Sequence, residues 1–136
     1  MRLLVRYGKL KKLKMKKYLT RTNIGYLLTA LLTMPLIPSI YGKLTSHEEA
    51  VANLSSHNLG DWITIIGIGE LIALVLFIIP NTMRLGAVLL SAYFGGAIMF
   101  HMAHPVAEAT SFKAPALFLV AVWVIAWIRG MELVKM

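Results

Sequence analysis

The sequence predicts an all-α integral membrane protein, a bundle of four transmembrane helices with both termini in the cytoplasm. The 136-residue chain is 58% hydrophobic and only 15% charged. Its mean hydropathy of +0.72 is too high for a soluble domain of that length. Four apolar stretches come close to the length that crosses a bilayer. The Lys and Arg residues gather on one side of these stretches, which fixes the orientation.

The four apolar stretches define the predicted spans. They cover residues 24–41, 62–79, 85–100 and 115–128. Pro35 and Pro38 remove backbone donors within the first span, so we expect a kink or break there. Pro80 cannot continue the helix before it, which predicts a tight turn between the second and third spans.

The distribution of basic residues predicts the orientation. Most Lys and Arg residues precede the first span, whereas the first and third connections contain only Lys43 and Lys113. The positive-inside rule therefore places both termini of this multi-pass protein in the cytoplasm. Residues 1–21 form a basic cytoplasmic segment, which either lies on anionic lipid or is a solvated tail, and Met15 is an alternative start to Met1. Residues 22–136 form a single four-helix transmembrane domain.

Composition excludes several kinds of chemistry. The chain has no cysteine, which rules out disulfides, thiolate metal sites and iron–sulfur ligation. Its net charge of +8 follows the topology, so we expect lipid rather than nucleic acid as the partner. No phosphate-binding loop or hydrolase motif is present, and catalytic residues are unknown. His101, His104 and Glu108 lack a recognised ligand spacing, so no metal is expected.

Glu70 is the residue that points most directly to function. It lies near the middle of the second span, where an ionisable side chain costs at least about 2.5 kcal/mol. Counting outward from the turn at Pro80 places Tyr93 of the third span at the same depth. With no Lys, Arg or His expected there, we predict a protonated Glu70 bonded to Tyr93. His101 lies two turns farther outward on the same helix face and would extend the site to the outer surface.

Small residues predict close helix crossings beside this carboxyl. Gly67 and Gly69 thin the second span just outward of Glu70, and Gly86 and Gly95 belong to a third span rich in Gly, Ala and Ser. Small side chains let helix backbones approach closely in a membrane. We therefore expect these glycines at helix contacts.

Four short motifs resemble the DoxX-like family of small four-span bacterial membrane proteins. They are SIYGKL at 39–44, GIGEL at 67–71, PNTMRLGA at 80–87 and LSAYFGGAIMFH at 90–101. The resemblance covers about residues 25–129 and implies a four-helix bundle with both termini inside, in the bacterial cytoplasmic (inner) membrane. Some relatives look like membrane subunits of sulfur-compound or quinone-linked oxidoreduction, and others like membrane partners of soluble enzymes in oxidative-stress defence. The matching polar positions are Lys43, Glu70, Arg84 and His101.

Three functions are compatible with these features. The first is an accessory or small-ligand-binding subunit of a membrane-associated oxidoreductase system, more a binding protein than an enzyme on its own. In it Glu70, Tyr93 and Lys43 would line a pocket for a quinone or similar molecule, with His101 at the outer mouth. A soluble or membrane redox protein would be the partner, and the chain itself could form a homo-oligomer.

The second function is a non-catalytic scaffold in which Glu70 and Tyr93 only lock helices together. The third and weaker one is a proton-coupled small-molecule transporter with Glu70 as the proton site. A cavity that reaches His101 would favour a ligand site, whereas close packing of Gly67 and Gly95 around a sealed carboxyl would favour the scaffold.

Overall fold

A computed structural model describes residues 20–56, 58–103 and 112–130, together with positions 1, 5 and 8. Within those residues the chain is helical, with no strand. Three helical segments are long and apolar enough to cross a membrane, and a shorter apolar helix follows. The predicted all-α membrane bundle is confirmed. His104, Glu108 and most of the basic segment 1–21 lie outside the described residues.

Five α-helices make up this part of the chain. They are α1 Arg21–Leu44, α2 Glu48–Ser55, α3 Ile63–Ile78, α4 Met83–Ala103 and α5 Lys113–Ile128. Thr20 caps the start of α1, where its side chain accepts a hydrogen bond from the backbone N–H of Asn23. The 3-10 turn Pro80–Thr82 joins α3 to α4, in agreement with the tight turn expected there.

The four apolar helices form a closed ring. Helix α1 packs against α3 and α5, and α4 packs against the same two helices from the opposite corner. The buried core lies along the ring axis, with Leu32 from α1, Phe77 from α3, Leu90 from α4 and Val122 from α5 among its members. We call the end where α1 stops and α3 starts the outer end, following the predicted orientation.

Helix α1 runs without a break through Pro35 and Pro38, so the predicted break is wrong, whereas a kink at these prolines stays a prediction. Leu32, Leu36 and Ile40 form one buried face on both sides of the prolines. Burial of that face favours a continuous helix, and proline is tolerated in membrane helices whose surroundings satisfy the freed carbonyls.

The short helix α2 lies in the first connection, which contains no long apolar run. It packs against the outer end of α1 and against α3. Glu48 and Glu49 occupy its first turn, where negative charge suits the helix dipole. Ser46 and Asn58, on either side of it, have the left-handed φ angles of 51° and 60° that turn the chain sharply. Helix α2 therefore covers part of the outer end of the bundle.

Candidate ligand site

The outer half of the bundle contains a partly open cavity of about 770 Å³. This volume lies within the range of small-molecule sites. Every α-helix contributes to its wall, which is mostly apolar and includes Leu36, Ile66, Phe94, Phe100 and Phe118. The cavity is also lined by the polar residues Ser39, Lys43, Glu70, Tyr93 and His101. It has the composition expected of a site for a molecule that is mainly apolar and carries a few polar atoms.

Lys43 organises the polar part of the wall. Its ammonium donates to Ser39 Oγ at 2.7 Å, to Glu70 Oε2 at 2.6 Å and to Tyr93 Oη at 2.8 Å. An ammonium has three N–H donors, so all of them are used. The contacts tie the last turns of α1 to the middles of α3 and α4. We call Ser39, Lys43, Glu70 and Tyr93 the polar cluster.

The local sequence explains how Lys43 reaches this position. Ser39 precedes it by one helical turn and lies on the same face of α1. Gly67 of α3 lies directly beneath it, since a Cβ added to that glycine would be 2.9 Å from the Cβ of Lys43. The two helices therefore cross closely, and the lysine side chain extends inward to Glu70.

The ion pair corrects the predicted state of Glu70. The apolar criteria end the first span at Tyr41 and leave Lys43 in the connection, whereas α1 continues to Leu44. A cation therefore does reach Glu70, and the expected protonated carboxyl bonded to Tyr93 is replaced by a Lys43–Glu70 salt bridge. Burial of a carboxylate is tolerated when a hydrogen-bonded counter-charge accompanies it.

One oxygen of this carboxylate lacks a partner. Glu70 is 0% exposed, and its Oε2 atom receives the hydrogen bond from Lys43. Its Oε1 atom is buried and has no hydrogen bond within the described part of the chain. A buried acceptor that stays unpaired costs about 1–3 kcal/mol. Oε1 is therefore a buried acceptor without a donor beside the Lys43–Glu70 pair.

His101 lies at the outer end of α4 and also lines the cavity. Its ring packs edge-on against Phe100, with 5.4 Å between the ring centroids. The structure thus brings Lys43, Glu70, Tyr93 and His101 to one cavity, from positions as far apart in sequence as the first and third spans.

Other residues singled out by their sequence lie elsewhere. Arg84 is exposed at the start of α4, at the opposite end of the bundle. Within the described part of the chain, a Cβ added to Gly69 or Gly95 would meet no atom within 4 Å, so the helix contacts expected at these two glycines are not found there. Among the described residues, no group of three or more His, Cys, Asp or Glu side chains is placed to hold a metal.

Gly86 and Arg129 shape the inner end instead. A Cβ added to Gly86 would overlap the backbone nitrogen of Phe77, so α3 and α4 touch there. Arg129 follows α5 and donates to the carbonyls of Phe77 and Ile78 at 2.7 Å each. Its guanidinium also lies over the Tyr26 ring, 4.8 Å from the centroid. In the sequence Arg129 is only one more basic residue counted by the positive-inside rule, so its contacts with α3 could not be predicted.

These observations define a multi-pass helical membrane protein with a candidate small-ligand cavity. A family model, the DoxX-like family, matches residues 27–125, and the chain belongs to that family. The matched region contains the polar cluster and His101. Comparison with curated proteins and comparison with solved structures each gave no match.

Proposed function

We propose that this protein binds a small quinone-like molecule in its outer cavity, as an accessory subunit of a membrane-associated oxidoreductase system. The observation that carries the proposal is the cavity of about 770 Å³ with apolar walls and the polar cluster on one side. A quinone has the matching chemistry, since a flat apolar ring and tail carry two polar oxygens.

The lining residues divide into two roles. Leu36, Phe94 and Phe118 offer apolar and aromatic surface to a ring or tail. Tyr93 and His101 carry O–H and N–H groups in the same wall, and these groups fix the orientation of a ligand by hydrogen bonds. The ligand would therefore lie with its polar ends between the polar cluster and the outer mouth.

The chain acts in this proposal by binding rather than by transferring electrons through its own thiols, since it has no cysteine. A soluble or membrane redox protein would supply or accept the electrons. Helix α2 lies beside the mouth of the cavity and contributes Glu49 and Asn53 to its wall. A partner bound at the outer surface would therefore lie next to the opening through which the ligand enters.

The test is to purify the protein in native lipid and to measure the quinone that accompanies it. We expect quinone in wild type and a loss of roughly threefold to tenfold in affinity in Tyr93→Phe, the effect of one hydrogen bond. Tyr41→Phe is the matched control, because Tyr41 is 66% exposed on the outside of α1. Absence of quinone together with no binding of added quinone would contradict the proposal.

A scaffold is the second candidate, and the Lys43–Glu70 salt bridge favours it. The bridge joins α1 to α3 at the Gly67 crossing, where a polar clamp would fix helix packing. The double variant Lys43→Met/Glu70→Leu separates the two functions, since it removes both charges at similar volume. If the bridge is only a clamp, the folded double variant should retain its protein partners and all bound small molecules. If it forms a ligand site, ligand binding should be lost in a folded protein.

A further inference from the structure

We infer that the protein binds the phosphate of an anionic phospholipid at the inner end of the bundle, in the seam between α1 and α5. The site is built on Arg21, the first residue of α1, and on Arg129, which follows α5. It lies at the opposite end from the outer cavity and does not depend on the proposed function. Both guanidinium groups are held in place by the fold, and neither meets a counter-charge among the described residues.

Arg21 is held against the last turn of α5. Its guanidinium donates to the carbonyl of Trp127 at 2.7 Å and lies over the indole ring, 5.2 Å from the centroid. This separation is within the range of a cation–π interaction. Arg21 is exposed, and its hydrogen bond uses one of five N–H donors. The guanidinium is therefore positioned before an anion arrives, which lowers the entropy cost of binding.

Arg129 reaches the same seam from the end of α5. Its side chain passes Gly25 of α1, where an added Cβ would overlap it. Its guanidinium lies over the Tyr26 ring and donates to the carbonyls of Phe77 and Ile78. Backbone carbonyls are neutral dipoles, so these hydrogen bonds position the guanidinium without cancelling its charge. The charge therefore stays available to an anion.

Within the part of the chain that the structure describes, no acidic side chain accompanies the two arginines. The acidic residues there lie in the outer half of the bundle, and they are Glu48, Glu49, Asp61 and Glu70. Arginine binds phosphate with two parallel N–H donors, which makes it the preferred residue for this anion. Two guanidinium groups fixed along one seam without a carboxylate therefore favour a phosphate.

A crevice of about 60 Å³ gives part of a head group room beside Arg129. Thr22 and Tyr26 of α1 line it, and Pro80 and Met83 complete the wall. Helix α1 begins here, and the N–H groups of a first helical turn carry partial positive charge. The crevice is too small for acyl chains, so these would lie outside the seam.

The surroundings favour a lipid over a soluble phosphate. Trp127 and Tyr26 are exposed at the inner end, where aromatic side chains mark the membrane–water boundary. Leu27 of α1 and Val124 of α5 are exposed deeper in the membrane and offer apolar surface to acyl chains. An anionic lipid matches the charge of the arginines, whereas phosphatidylcholine would bring a choline cation towards them.

The experiment measures the affinity of the full chain for two lipids. The protein in a neutral detergent is titrated with phosphatidylglycerol or with phosphatidylcholine of the same acyl chains, and native mass spectrometry counts the bound lipids. We expect phosphatidylglycerol to bind at least about tenfold more tightly, since each arginine near an anionic lipid contributes about 1 kcal/mol.

The variants locate the binding site. Arg21→Gln should weaken phosphatidylglycerol binding about fivefold, the equivalent of about 1 kcal/mol. Arg84→Gln is the matched control, because Arg84 is also an exposed arginine at the inner end but lies on α4, outside the seam. It should leave the affinity nearly unchanged.

Three outcomes would overturn the inference. Equal affinity of wild type for the two lipids would do so without reference to any variant. Equal losses in Arg21→Gln and Arg84→Gln would show a diffuse attraction to the basic end of the bundle instead of a site in the seam. Glycerol phosphate has the phosphate but no acyl chains, so its binding as tightly as phosphatidylglycerol would show a site for a soluble phosphate.

Discussion

The inner and outer halves of the bundle solve different problems with the same kinds of residue. In the inner half Gly86 brings α4 against the backbone of α3, and the side chains of Phe77 and Val122 are 0% exposed. In the outer half a Cβ added to Gly96 would meet no atom of the described residues within 4 Å, and Gly96 lines the cavity. Gly86 therefore closes the inner end, whereas in the outer half Gly96 leaves room for a ligand beside the close crossing at Gly67.

The halves also differ in how they use cations. Arg129 at the inner end donates to the carbonyls that end α3, which helps to hold helices together. Lys43 in the outer half pairs with a carboxylate whose second oxygen stays unpaired. Both cations therefore stabilise the fold by their hydrogen bonds, and the outer half differs in that Glu70 Oε1, beside Lys43, is buried without a donor.

The largest effect is expected from a single charge removal in the outer half. Lys43→Met leaves the fully buried Glu70 without its counter-charge, which typically destabilises a protein by about 3–5 kcal/mol. Thermal unfolding in detergent should show a large loss of stability, or no folded protein at all. Adding Glu70→Leu should restore most of the loss. A Lys43→Met protein as stable as wild type would show that the salt bridge does not form.

A glycine pair compares the two halves directly. Gly86→Ala places a methyl group against the backbone of Phe77, which cannot move as a side chain can, so we expect a loss of about 1–3 kcal/mol. Gly96→Ala meets nothing within 4 Å and should be neutral or stabilising by up to about 1 kcal/mol, as for glycine in a helix. Unfolding of both variants side by side is the measurement. Equal effects would mean that the inner half is not the closely packed one.

A smaller effect is expected at the inner cap. Arg129→Lys keeps the positive charge but loses the two-pronged contact with the carbonyls of Phe77 and Ile78. We expect a loss of about 0.5–1.5 kcal/mol, the size of one net hydrogen bond, with quinone affinity unchanged. Arg84→Lys is the control, because Arg84 is exposed. A fall in quinone affinity on Arg129→Lys would show that the two ends are coupled.

The sequence predicts the fold well because its signals are averages over many residues. Span length and the position of basic residues both survive small errors at the ends of helices. Counting residues from the turn at Pro80 also places Glu70 and Tyr93 at the same depth, because both helices start from that turn. In the structure both side chains accept a hydrogen bond from Lys43. The depth of a residue along its helix can therefore be predicted from the sequence.

The remaining parts depend on side-chain direction, which hydropathy does not encode. A lysine at the end of a span can point to water or back into the bundle, and only the space beside Gly67 decides this for Lys43. A glycine likewise gives the same signal in the sequence whether it forms a helix contact, as Gly86 does, or borders a cavity, as Gly96 does. The three-dimensional arrangement of the neighbouring helices settles both questions.

The most direct test of the ligand site is photolabelling with an azido derivative of 2-decyl-1,4-benzoquinone, followed by mass spectrometry that locates the labelled residues. We expect label at residues of the cavity wall and its loss when unlabelled quinone competes. Those residues are Phe94, Gly96, Ala97 and Phe100 of α4 and Ala114, Pro115 and Phe118 of α5. Label confined to lipid-facing positions such as Val88 and Leu117, unaffected by competition, would contradict a quinone site in the outer cavity.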